Sequence, residues 1–254
     1  MKAGFGIVLP DAHRPYHDKR AHKLICKFLA DTKPDNGMII GDWMNFAGIS
    51  RHNDARLFLR VKEPYTNDIN SGNEGLDDLQ KASPKTEWGF NEGNHEFWAV
   101  EYFFRHPELG YQFFAVEKLL KLKERGIKYV KHNDQIQHPT RRMSWGKLQF
   151  LHGFLTGESH AVQMAKQSSS SIAYGHTHDM QVATRKGDQL SKHVALSCGH
   201  IMDENSRAAD YIKTNTCWRK GFVTVMWDTD GTFQFQQHDL RKYKFYFDGH
   251  WWRG

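Results

Sequence analysis

Five short stretches place metal-capable donors directly after an apolar run. Asp11-x-His13 follows Gly4 to Leu9, Gly41-Asp42 follows Met38 to Ile40, and Gly93-Asn94-His95-Glu96 follows Trp88 to Phe90. His152-Gly153 follows Leu148 to Leu151, and Gly175-His176-Thr177-His178 follows Ile172 to Tyr174. Carboxylate, amide and imidazole donors delivered by successive strand ends are the raw material of a metal site. Taken singly, each stretch has a plainer reading. An Asp after a strand commonly serves a cap or turn, and most of 16 histidines in one chain are surface or hydrogen-bonded structural groups.

The elements that must hold these donors follow from periodicity. Gly4 to Leu9 reads as a buried strand, Ala21, Leu24, Ile25, Phe28 and Leu29 recur at helical spacing, and Pro34 ends that helix before the run Met38 to Ile40. Strand, crossover helix and parallel strand result, with Asp11 and Asp42 beyond the strands' carboxyl ends, where ligands collect in open α/β sheets. Residues 50–85 are polar and aperiodic and read as loop with at most one short helix. Phe97 to Arg105 and Phe113 to Arg125 read as helices, the second stopped by Gly126. Phe222 to Trp227 and Thr232 to Gln236 flank Asp228-Thr229-Asp230-Gly231, a hairpin signal. Ser168 to Ser171 reads as a loop before a strand.

The order of the five motifs and their glycines resembles the calcineurin-like metallophosphoesterases over residues 11–178, leaving the C-terminal third unmatched. The resemblance implies an α/β fold, a sandwich of two mixed β-sheets flanked by helices, with a dinuclear metal site at the strand C-terminal ends. It implies one ion held by Asp11, His13, Asp42 and His178 and another by Asp42, Asn94, His152 and His176, with Asp42 as the bridge. It gives His95 the role of general acid; Glu96 beside it reads as an orienting or capping residue. Two divalent cations close together repel, and a shared carboxylate with a bridging hydroxide screens that repulsion while preparing a nucleophile at neutral pH. Asp, Asn and His ligands without thiolate suit Mn²⁺ best, with Fe, Zn²⁺ or Ni²⁺ as alternatives, rather than Ca²⁺.

Two departures from the family bear on substrate. Its phosphoprotein phosphatases continue the second motif as G-D-x-x-D-R-G and place a phosphate-gripping arginine before the third. Here the second motif runs Gly41-Asp42-Trp43-Met44-Asn45-Phe46, and Glu92 precedes Gly93. Less positive charge awaits a dianionic monoester, so a phosphodiesterase or nuclease acting on DNA or RNA is the favoured expectation. A phosphomonoesterase and a non-catalytic scaffold are the rivals. Gly41 to Arg51 looks most like small stand-alone members from phages and prophages. Arg51, His52, Arg141 and Arg142 are the candidate substrate contacts. Trp251 and Trp252 could stack on bases, although packing of a chain end is the plainer role.

Composition sets the outer bounds. With 254 residues, 39% apolar and 13% aromatic, the chain suffices for one core and is expected to form a single domain, 1–254. No apolar run reaches the roughly 20 residues needed to span a bilayer. Phe5 to Leu9 meets Pro10 without a cleavage pattern, so no membrane and no export are expected. Cys26, Cys198 and Cys217 form no C-x-x-C pair, which fits a cytoplasmic protein. A formal charge of +6 and a pI near 9.1 lean towards anionic partners. From Lys118 to Lys147 the only acids are Glu124 and Asp134, so this stretch is either a basic strip or an ordinary solvated face. Oligomeric state has no signal.

Overall fold

A computed structural model describes residues 2–53, 62, 64–110, 115–184, 193–209 and 216–254; the side chain of His52 lies outside what is described. Two sheets carry the fold. The first has six strands in the order β11-β10-β1-β2-β3-β4: β1 Gly4–Leu9, β2 Asn36–Ile39, β3 Glu87–Asn91, β4 Lys128–Val130, β10 Gly221–Trp227 and β11 Phe233–Asp239. The second has five in the order β5-β6-β7-β9-β8: β5 Ser144–Trp145, β6 Leu148–Leu151, β7 Ser171–Tyr174, β8 Val182–Thr184 and β9 Val194–Ser197. Both are mixed. β1 to β4 run parallel with β10 antiparallel to β1, and β6, β7 and β9 run parallel between antiparallel edges.

Alternation along each strand sorts its side chains into layers. Val8, Met38, Phe150, Ala173, Leu196 and Val223 fill the space between the sheets. On the outer face of the first sheet, Ile7, Leu9, Ile39, Phe90 and Phe222 pack against α1 (Lys19–Thr32), α2 (Tyr65–Ala82) and α3 (Asn94–Arg105). Two short helices follow along the chain, α4 (Val116–Leu119) and α5 (His132–Gln137). On the outer face of the second sheet, Leu151, Ile172, Tyr174 and Ala195 pack against α6 (His160–Gln167). The result is the expected sandwich of two mixed sheets flanked by helices.

Register brings the donors level. Leu9 lies opposite Ile39 and Ile39 opposite Phe90 in the first sheet, and Leu151 lies opposite Tyr174 in the second. The chain therefore leaves β1, β2, β3, β6 and β7 at one end of the sandwich, with a donor motif immediately following each. Helix α1 follows its sequence signal: Asp18 Oδ1 accepts from the amides of Arg20 and Ala21, and Lys33 closes the helix in the left-handed conformation before Pro34. The turn after β10 closes as expected, with the Asp228 amide donating to the Thr232 carbonyl.

Two local expectations are corrected. Residues 65–82 form an 18-residue helix where loop with one short helix at most was expected. Its buried face consists largely of Asp68, Ser71, Gly72 and Gly75, joined by Leu76 and Leu79, so the usual apolar period is missing. The small residues serve close approach: a Cβ on Gly75 would lie 2.2 Å from the Arg14 guanidinium carbon. The helix expected over Phe113 to Arg125 is regular only at Val116–Leu119. It then breaks into turns, with Lys121 at φ 53°, and 111–114 lie outside the described residues. The strip from Lys118 to Lys147 consequently spreads over α4, β4, α5 and the β5–β6 turn rather than one helix face.

A final hairpin, β12 (Lys244–Phe247) with β13 (His250–Arg253), lies over α1. The rings of Phe245 and Trp252 sit 5.3 and 4.9 Å from Phe28. Trp252 therefore takes the packing role.

Candidate metal centre

The strand ends converge on a compact set of donors. Asp11, His13 and His178 each offer an atom within 4.8 Å of the others, and so do Asp42, His152 and His176. His13 and His178 approach Nε2 to Nε2 at 3.0 Å, with His178 Nε2 3.2 Å from Asp11 Oδ2. Asn94 Oδ1 sits between His152 Nε2 and His176 Nδ1, 2.8 Å from each. Asp42 Oδ2 spans the two groups, 3.3 Å from His152 Nε2 and 4.0 Å from His13 Nε2. All seven residues that the motif pattern singles out as ligands are thus brought together.

The local backbone is bent to make this possible. Asp11, His13, Asp42, His176 and His178 all have positive φ, between 20° and 68°. For residues other than glycine such conformations cost roughly 1–3 kcal/mol each and cluster at functional sites. The motif glycines let the loops touch: a Cβ on Gly93 would fall 2.2 Å from the Asp42 amide, and one on Gly175 2.3 Å from Asp11 Oδ1. The two sheets are stitched at the same place. The His176 amide donates to Asp11 Oδ2 at 2.6 Å, and His152 Nδ1 donates to the Ile40 carbonyl at 2.9 Å, which holds the ring with Nε2 turned inward.

Glu96 organises the second motif from beneath. Its Oε2 accepts from the amides of Asp42 and Gly93 at 2.9 and 2.8 Å, and its Oε1 from Met44 at 2.9 Å. The Gly93 contact caps the start of α3 from within the helix's first turn, the orienting and capping role the sequence gives this residue. Asp42 Oδ1 in turn accepts from the His95 amide at 2.9 Å. The His95 ring is held by Nδ1 donating to the Asn45 carbonyl at 2.5 Å and by Trp98, whose ring centroid is 3.8 Å away. Its Nε2 is left 3.8 Å from Asp42 Oδ2, so His95 also lies within ligand reach of His13 and Asp42.

Burial lowers the His13 imidazole well below its ordinary range, helped by the nearby His95 and His178 rings, and lowers His178 likewise with help from His200. His176 is brought down to about 4 by burial and by His152. Burial also lowers His95, against the pull of Asp42. For His152 burial works downward, but the Asp42 charge beside it prevails and lifts it to about 9. Burial would raise Asp42; His152 and His95 outweigh it and hold the carboxyl well below the usual range. Asp11 is pushed by burial up to about 7, and Glu96 by burial and by Asp42 up to about 8.

These features suit divalent cations. His13, His176 and His178 are kept neutral, the form that ligates, and Asp42 is kept ionised. Asp11 Oδ1 and the Nδ1 atoms of His13 and His178 are buried without a hydrogen-bond partner. A buried carboxylate oxygen with no donor is costly unless positive charge compensates it, and a bound cation would draw Asp11 back to its ionised form. The fit holds for the residues present. Asn94, His95 and His176 are only half-buried, so the site opens on their side.

The candidate substrate contacts engage other partners. Arg51 pairs with Glu101 of α3 at 3.6 Å, and Arg141 with Asp134 at 2.7 Å. Arg142 Nε donates to the Gln135 carbonyl at 2.6 Å, while Gln135 Oε1 accepts from the His152 amide at 2.7 Å, so this arginine braces a ligand loop. Glu92 is buried and accepts from Tyr129 and the His132 amide.

Sequence reasoning alone passes over Asn45, Trp98 and Gln135. Trp98 carries a signal, since it stands one helical turn after His95; the partnership of Gln135 with His152 carries none. A further network lies under the last motif. His160 bonds the Tyr174 hydroxyl at 2.6 Å and Asp179 at 2.9 Å, and Asp179 also accepts from Thr177 and Ser197.

No protein-family profile matches the chain. It is 23% identical over 234 residues to the Gene 54 protein of Mycobacterium phage L5, covering 87% of this chain and 88% of that one. Among solved structures, vacuolar protein sorting 29 from Cryptosporidium parvum aligns over 93% of this chain and 97% of its own, at 12% identity and a TM-score of 0.45. The phosphoesterase Yfce from E. coli aligns over 90% and 96%, at 12% identity and 0.44. The nuclease MPE from Pseudomonas putida aligns over 89% and 83%, at 8% identity and 0.39. Likenesses this distant carry no activity across. In its own residues, five donor motifs in one order gathered at the adjoining edges of two mixed sheets, the chain resembles the calcineurin-like metallophosphoesterases.

Proposed function

We propose that the chain is a dinuclear-metal phosphoesterase of one domain that hydrolyses phosphodiesters, with DNA or RNA as the substrate class. The observation that carries this reading is the position of Asp42, one carboxylate set between two donor groups with His95 beside it. Divalent ions, Mn²⁺ foremost for this donor set, would supply charge neutralisation at the phosphoryl group and an activated water. Asp11, His13, Asp42 and His178 would hold one, and Asp42, Asn94, His152 and His176 the other. Because the Asn45 carbonyl occupies Nδ1 of His95, its Nε2 is the atom free to hold a proton for the leaving oxygen, and Trp98 keeps the ring in place.

The preference for diesters is supported by the position before Gly93. Glu92 stands there, bound to Tyr129 and His132, and supplies no cation for a dianionic monoester. The pI near 9.1 adds general attraction for polyanions. All three cysteines are unpaired, which fits the cytoplasm. A panel in Mn²⁺ tests the reading: a diester dye, a monoester dye, single- and double-stranded DNA, RNA and a phosphopeptide. Diester and nucleic-acid cleavage abolished by EDTA is expected. Preference for the monoester or phosphopeptide makes it a phosphatase, and no turnover with any metal makes it a binding scaffold.

A further inference from the structure

Strand alternation gives the β12–β13 hairpin two unlike faces. Phe245 and Trp252 turn inward against Phe28, while Lys244, Tyr246, Trp251 and Arg253 turn outward. In register, Lys244 stands opposite Arg253 and Tyr246 opposite Trp251. Tyr246 and Trp251 are 48% and 57% exposed, with ring centroids 5.8 Å apart, and Lys244 Nζ lies 5.5 Å from the Trp251 ring. No carboxylate pairs with Lys244 or Arg253 among the described residues. Like charges placed directly opposite on a hairpin are destabilising unless an anion lies between them. The face therefore suits a partner that brings both negative charge and flat apolar rings.

The hairpin also walls a groove of about 550 Å³ against β11, whose lining includes Gln236, Asp239, Arg241 and Lys242. At Asp239 the lining meets Arg219, which also touches a donor motif. The Arg219 amide donates to the carbonyl of His178 at 2.8 Å, and the Arg219 guanidinium reaches Asp239 at 3.4 Å. Arg219 thus links the groove, by its side chain, to a ligand loop, by its backbone.

We propose that the hairpin face and this groove form a track for single-stranded nucleic acid that runs to the metal centre, a proposal that rests on the diesterase reading above. Bases stack on Trp251 and Tyr246, and phosphates lie along Lys242, Lys244 and Arg253. A single strand offers base faces for stacking, whereas a duplex keeps them covered.

The test is binding of a fluorescent single-stranded oligonucleotide, followed by anisotropy in EDTA so that no turnover intervenes. Trp251→Ala should weaken binding about tenfold or more. The double variant Lys244→Gln, Arg253→Gln should lower the slope of log K against log salt by about 1.4, the share of two phosphate contacts on a single strand. Both sites are on the surface, and melting curves matching wild type exclude misfolding. The track is overturned if the wild type does not bind the oligonucleotide, or if both variants bind as wild type does. Capture of vesicles rich in anionic phospholipid, lost in Trp251→Ala while oligonucleotide affinity stays unchanged, would instead assign the face to a membrane surface. Hydrolysis of a small diester dye by the wild type in Mn²⁺ checks the metal centre separately. Dye cleavage without oligonucleotide binding sinks the track alone, and oligonucleotide binding without dye cleavage sinks the diesterase alone.

Discussion

His13 and His178, carried by the ends of strands in different sheets, face each other through their Nε2 atoms at 3.0 Å in a buried setting. Both rings are held neutral by burial, and the other nitrogen of each has no partner. With Asp11 Oδ2 3.2 Å from His178 Nε2, two neutral imidazoles and a carboxylate oxygen converge on one point. A divalent cation would take up both lone pairs at once.

Metal should therefore raise thermal stability. At one hundred times its dissociation constant, Mn²⁺ is expected to add about 2.7 kcal/mol, and EDTA should reverse the gain. Differential scanning fluorimetry of wild type and His178→Ala checks this, with most of the metal-induced shift lost in the variant. A flat response of the wild type to Mn²⁺, Fe²⁺, Zn²⁺ and Ni²⁺ would remove the site.

Asp42→Asn should lose both metal content and activity. Asparagine can still accept from the His95 amide, so the loop survives, but the charge between the two donor groups is gone and two cations would lie under-neutralised. Elemental analysis giving two metals per chain in a fully active Asp42→Asn would refute the assignment.

His95→Ala separates chemistry from binding. It is expected to keep the metals while turnover falls by roughly 10² to 10⁴, the usual loss for a general acid. The drop should be largest for esters with a poor leaving group. A rate on such an ester close to wild type would leave His95 a packing role against Trp98.

Much of this centre was legible in the sequence because each donor directly follows its own strand, and a short apolar run ending in Asp or His is a local pattern. Register then does the gathering: with Leu9, Ile39 and Phe90 aligned, the first three motifs meet without further information. What was not legible is non-local. The supports from Gln135 to His152 and from Asn45 to the His95 ring cross 17 and 50 residues and leave no periodic trace. Helix α2 was hidden for a different reason, since it buries Asp68, Ser71 and glycines, and Asp68 is used to accept from the Phe46 amide at 2.8 Å. Polar burial of that kind defeats any reading based on hydrophobic spacing.

Glu96 should matter for stability as much as for activity. Its removal in Glu96→Ala leaves the buried amides of Asp42, Met44 and Gly93 without acceptors. At about 1–3 kcal/mol for each unsatisfied donor, the expected loss is at least about 3 kcal/mol. Glu96→Gln, which retains one carbonyl oxygen, should recover part of it. Urea denaturation of the three proteins decides, and an Ala variant within about 0.5 kcal/mol of wild type, the range of ordinary surface changes, would exclude the role.

Acid stability should report on His238 of β11, which is none of the donor residues. It is 2% exposed, packed among Phe222, Phe245 and Phe247, with Nε2 2.9 Å from the Thr224 hydroxyl, and burial lowers its imidazole to about 3. The unfolded chain takes up this proton near pH 6.5 and the folded one only near 3, so the contribution is complete above pH 6.5 and is lost as pH falls through that window. One proton corresponds to about 1.4 kcal/mol per pH unit, so wild type should lose about 2 kcal/mol more than His238→Gln between pH 6.5 and 5. Glutamine keeps a partner for Thr224, and other buried histidines act in both proteins and cancel in the difference. Urea denaturation in EDTA at several pH values measures it, and parallel stability curves for the two proteins would show that His238 is not the group being protonated.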